Sequence, residues 1–145
     1  MESNKERESL AANFDRHAEE EGKVLGEYRA LSEKLEDGPI GFLIDLILTE
    51  EEQHHFLLST MTKWLREPPS AGKSVGLQGI NREELLQHTE KLRRHEQETI
   101  NTYRNLKSQL SGEDRELLDT LLDGMVLDSE KHHRLLLAVE KMIKA

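Results

Sequence analysis

The sequence predicts an all-α chain folded as a four-helix bundle with one long crossover connection between helices 2 and 3. Three observations carry this expectation. Four long segments place apolar residues at the spacing of one helix face. Short, long and short connections separate them, which is the loop pattern of a bundle with a single crossover. The second half of the chain also repeats side-chain patterns of the first. A length of 145 residues suits one domain with a real core.

The first helix is predicted from about Ser3 to Glu36. Asp37-Gly38-Pro39 ends it, since Gly and Pro together punctuate a helix. The second runs from about Ile40 to Arg66. Residues 67–80 form a linker rich in Pro, Gly and Ser. A stretch of about 14 residues spans roughly 45 Å when extended, and a helix of about 27 residues is roughly 40 Å long. The linker can therefore travel the length of the bundle. An up-down bundle with a slack surface loop is the alternative. Asn81 is a plausible N-cap for the third helix, which reaches about Leu110. Ser111-Gly112 makes the next turn, and the fourth helix runs from about Glu113 to the C-terminus. The expected domain is thus one unit built from two helical hairpins, 3–66 and 81–144.

The repeat relates these hairpins. Glu21 precedes Tyr28-Arg29-Ala30-Leu31 in the first helix, as Glu96 precedes Tyr103-Arg104-Asn105-Leu106 in the third. His54-His55 in the second helix has its match in His132-His133 in the fourth. Two copies of one hairpin stack into a pseudo-two-fold bundle.

Composition narrows the function classes. Net charge is −9, with a sequence pI near 5.3. That disfavours nucleic acid, which needs a basic face, and anionic membrane surfaces. There are no cysteines, so disulfides, thiolate metal sites and cysteine nucleophiles are excluded. The N-terminus MESNKERESL lacks an apolar h-region, and no stretch has the length of a membrane span. The expected location is the cytoplasm.

Helix phase, at about 100° per residue, identifies the polar residues on the apolar stripes. In the first helix Leu10, Phe14, Val24, Leu25, Leu31 and Leu35 share the stripe of Tyr28, and Glu21 and His17 fall within it. In the third, Leu85, Leu92, Ile100, Leu106 and Leu110 share the stripe of Tyr103 with Glu96. The second helix offers Glu51-x-x-His54 and Glu52-x-x-His55. Leu43, Ile44, Ile47, Leu58, Met61 and Leu65 centre on His54, so phase selects Glu51 and His54. In the fourth, Leu118, Leu122, Met125, Leu136, Val139 and Ile143 centre on His132. Ser129 stands three residues before it, and Asp128 one turn before it also faces inward. Glu130-x-x-His133 is intact but points away from the apolar centre. His55, His88, His95 and His133 are expected at the surface, and Glu98 lies off the stripe.

Depth agrees with phase. Glu21, His54, Glu96 and His132 lie about 16–20 residues from the turns of their hairpins, matching within roughly 6 Å. Unpaired carboxylates are costly to bury, so they protonate, pair or bind a metal. Several carboxylates with two or three imidazoles lack enough positive charge of their own. Divalent iron, manganese or zinc would supply it. Tyr28 and Tyr103 can hydrogen-bond ligand carboxylates, although core packing explains them equally well.

Through Glu21…Tyr28, Glu51-x-x-His54, Glu96…Tyr103 and His132 the chain resembles the ferritin-like superfamily, and within it rubrerythrin-type and bacterioferritin-type domains. The resemblance covers all four helices. It implies a ferritin-like bundle with two iron ions, terminal ligation by Glu21 and Glu96, a bridging Glu51, and imidazole ligation by His54 and His132. Ser129 departs from the pattern, where a second bridging Glu is expected, and Asp128 or Glu130 is its replacement. The implied activity is an oxidoreductase reacting with oxygen or hydrogen peroxide, of ferroxidase or peroxidase type. An external electron donor and a homo-oligomer, a dimer or larger, are further expectations. Metal binding or iron storage without catalysis is the alternative.

Overall fold

The computed structural model describes residues 3–68 and 79–145. Among them the chain forms four α-helices and no strand: α1 (Asn4–Ser32), α2 (Pro39–Arg66), α3 (Arg82–Lys107) and α4 (Arg115–Lys144). None of these helices is long and apolar enough to cross a membrane.

Local chemistry sets the helix starts. Ser3 and Glu6 form a reciprocal capping box at α1: the Glu6 N–H donates to Ser3 Oγ at 3.2 Å, and the Ser3 N–H to Glu6 Oε2 at 2.8 Å. Pro39 opens α2, where its missing N–H costs nothing. Asn81 caps α3 by accepting from the Glu84 N–H at 3.1 Å. Two helices end about a turn before the sequence expectation, at Ser32 and Lys107. The residues beyond them tighten into i→i+3 turns, with the Leu35 N–H on Ser32 O and the Leu110 N–H on Lys107 O. Gly112, at φ 99°, takes the left-handed conformation that lets the chain turn into α4.

The chain divides into two compact units, Met1–Lys73 and Ser74–Ala145. The first is the hairpin of α1 on α2, the second the hairpin of α3 on α4. Most of the expected crossover, residues 69–78, lies outside the described residues.

In the first hairpin the seam is formed by Ala11, Leu48 and Thr62, which are buried, with half-buried Phe14, Ala18, Leu25, Ile44, Leu58 and Leu65. Arg29 reaches across to Glu52. Near the open end Arg66 holds both Glu8 and Asp15, each at 3.0 Å. In the second hairpin Thr89, Ile100, Val126, Ser129, Glu140 and Ile143 are buried. Arg104 reaches Glu130 at 2.8 Å, and Arg93 meets Glu140 at 2.7 Å. Arg29–Glu52 and Arg104–Glu130 occupy matching repeat positions, so the internal repeat is structural as well as sequential.

Each seam uses one flank of the apolar stripes. On α1 Leu10, Val24 and Leu31 are exposed, as are Ile47, Leu57 and Met61 on α2. Leu92 and Leu106 on α3, and Leu118, Met125 and Val139 on α4, are exposed in the same way. By helix phase these residues lie about 80° round from their seams. The apolar stripe of each helix is thus wider than the seam it forms with its hairpin partner.

Candidate metal centre

The carboxylate of Glu21 lies at the edge of the first seam, with its side chain only 17% exposed. One turn earlier, His17 places Nε2 3.1 Å from Glu21 Oε2. Across the seam, His55 Nε2 stands 3.7 Å from Glu21 Oε1. Both Glu21 Oε1 and His55 Nε2 are buried and lack a hydrogen-bond partner. Gly22 faces this imidazole, and a Cβ there would meet His55 Cε1 at 3.5 Å, an ordinary contact distance. His54 is more exposed, and its Nδ1 lies 3.4 Å from Glu51 Oε2 on the same helix. His17, Glu21, His54, Leu57 and Met61 line one depression on this hairpin.

The second hairpin repeats the theme with different parts. Glu96, 16% exposed, has Oε1 3.6 Å from His132 Nδ1. Both line a depression with Tyr103, Met125, Asp128 and Ser129, which His95 also borders. Asp128 is exposed, 3.5 Å from Lys131 Nζ. Ser129 is buried in the seam. Tyr28 stays on the exposed side of α1.

The structure thus brings together Glu21 with His17, Glu51 with His54, and Glu96 with His132. It also draws in His55, which the sequence placed toward the flank or solvent. His133, likewise expected at the surface, is half-buried. Periodicity locates the centre of an apolar stripe, whereas the hairpin seam runs along one flank of it. The residue one step round, His55, therefore faces Glu21. One signal for it stands in the sequence, the intact Glu52-x-x-His55.

No protein-family model, no curated protein and no solved structure matches the chain.

The donors suit a transition metal. Two ligands about 2.1 Å from one ion stand about 3.0–3.6 Å apart at angles of 90–120°. The Glu21–His17 and Glu21–His55 separations fall in or close to that range. A cation between Glu21 Oε1 and His55 Nε2 would satisfy two buried atoms that nothing else satisfies. Carboxylate oxygen with imidazole nitrogen is a set for iron, manganese or zinc. Among the described residues, no three His, Asp or Glu side chains stand grouped, as they are placed, so that they could hold a metal ion.

Proposed function

We propose that this chain is a ferritin-like di-metal protein, whose carboxylate–imidazole sets bind two iron ions. The observation that carries the reading is the orphaned pair Glu21 Oε1 and His55 Nε2. It sits beside an exposed apolar flank, and the other hairpin also sets a carboxylate near an imidazole, Glu96 and His132 at 3.6 Å. The resemblance to rubrerythrin-type and bacterioferritin-type domains points the same way.

In this reading Glu21, Glu51 and Glu96 would supply carboxylate ligands. Imidazoles come from His54 or His55 and from His132, with His17 beside Glu21. Asp128 takes the place left by Ser129. Tyr28 and Tyr103 orient carboxylates. Iron held by these residues would provide ferrous–ferric redox chemistry toward oxygen or hydrogen peroxide, with electrons from an external donor. Manganese and zinc fit the same donors without the same redox chemistry.

Anaerobic addition of ferrous iron, followed by oxygen or peroxide, tests the reading. A new near-ultraviolet absorption, with consumption of the oxidant over repeated cycles in the presence of a reductant, is the expected result. Oxidation that stops after one cycle and yields a large assembly on sizing indicates storage instead. Failure to bind iron sinks both versions.

A further inference from the structure

We infer that the first hairpin holds one divalent first-row transition ion by itself, through His17 Nε2, the Glu21 carboxylate and His55 Nε2, and that this position fills first. The inference rests on the metal reading above and deepens it, because it makes the two metal positions unequal.

The inequality is visible position by position. Glu21 has imidazoles at both oxygens, 3.1 and 3.7 Å away. Its counterpart Glu96 has His132 at 3.6 Å on one oxygen. The repeat position of His17 is occupied by Leu92, and that of Glu51 by Ser129. The second hairpin therefore lacks two donors that the first possesses. The orphaned buried atoms are also confined to the first hairpin among the described residues.

The three side chains do not yet converge on one point, so binding requires His17 to adjust. His55 already lies against Glu21 across the seam, at 3.7 Å. The side chain of His17 is 64% exposed and 3.1 Å from Glu21 Oε2, so it can change rotamer beside the carboxylate. Two nitrogens and a carboxylate form a three-ligand set that leaves coordination positions for water or a further ligand. Such a set favours zinc, cobalt and ferrous iron over calcium or magnesium. The ion would also join α1 to α2, since His17 and Glu21 come from one helix and His55 from the other.

The full-length, metal-free protein titrated anaerobically with Co2+ provides the test, read by visible absorption and by stoichiometry. The first equivalent should bind at least about 10-fold tighter than the second, and His17→Leu should weaken it by about 10-fold or more. His55→Gln should do the same, while His132→Gln should weaken only the second equivalent. Far-ultraviolet circular dichroism should stay unchanged in His17→Leu because that side chain is exposed. Two equivalents of equal affinity, or a first equivalent indifferent to His17→Leu, would overturn the inference and leave the di-metal reading standing. No Co2+ binding at all would remove both.

Discussion

Glu21 and Glu140 are both carboxylates sunk into the seams of their hairpins, with side chains 17% and 8% exposed. Their surroundings differ. Glu140 accepts a charged hydrogen bond from Arg93 Nε at 2.7 Å. Glu21 has an oxygen with no partner, facing an equally unpartnered imidazole nitrogen. At the repeat positions of Arg93 and Glu140 the first hairpin carries Ala18 and Thr62. One scaffold thus places its buried charge in two ways. A carboxylate matched by a guanidinium is closed and structural. A carboxylate left unmatched is available to a ligand, and it costs stability until the ligand arrives.

The largest effect should come from opening the closed pair. Arg93→Met leaves Glu140 buried without a counter-charge and should cost about 3 kcal/mol in urea unfolding. Arg93→Ala combined with Glu140→Thr installs the residues of the first hairpin and should recover most of that loss. If the double variant is as unstable as the single one, the pair is not the closed unit described.

Next in size is the response of the open carboxylate to metal. Zn2+ at about 100 times its dissociation constant should add about 2.7 kcal/mol to stability. Glu21→Leu should abolish that gain while raising the metal-free stability by about 1–2 kcal/mol, because it removes an unsatisfied buried oxygen. A melting temperature that falls in metal-free Glu21→Leu would show that Glu21 is already satisfied.

Helix positions and the repeat were legible in the sequence because they rest on local chemistry. Ser3 with Glu6, Gly38-Pro39, Asn81 and Gly112 each act within a few residues of where they stand. Periodicity also found Glu21 and Glu96, which lie where seam and stripe overlap. It selected His54, at the centre of the stripe, and placed His55 toward the flank. The stripe centre marks the mean direction of the apolar side chains, and the seam with α1 runs to one side of it. Arg93–Glu140 was missed for a related reason. Glu140 lies off the stripe of α4, and only the facing α3 reveals its partner.

A smaller effect should follow from making the second hairpin more like the first. Leu92→His puts an imidazole one turn from Glu96, as His17 stands to Glu21. Leu92 is 47% exposed, so the change opens no cavity. The second Co2+ equivalent should tighten by about 10-fold. An unchanged second equivalent would mean that Glu96 and His132 do not form a metal position.

The smallest expected difference concerns the ion pairs that brace each hairpin, and it separates them by pH. In the first, hydrogen bonding from Arg66 outweighs burial and holds the Glu8 carboxyl below its ordinary value of 4.5. In the second, hydrogen bonding to Asp123, with the charge of Asp119, raises Lys107 above its ordinary 10.5. The signs are opposite. The Glu8 contribution is complete above 4.5 and is lost as pH falls through its lower folded value. The Lys107 contribution is complete below 10.5 and is lost as pH rises through its higher folded value. Arg66 keeps its charge throughout the alkaline range. Alkaline pH should therefore loosen the α3–α4 turn end before the brace of α1 on α2, and acid should act first on the brace. Both pairs are solvent-exposed, so each effect should be slight and should shrink in salt. Amide exchange followed against pH resolves them, since Glu8→Gln should erase the acid component and Lys107→Met the alkaline one. Alkaline loosening that persists in Lys107→Met would assign it to other groups.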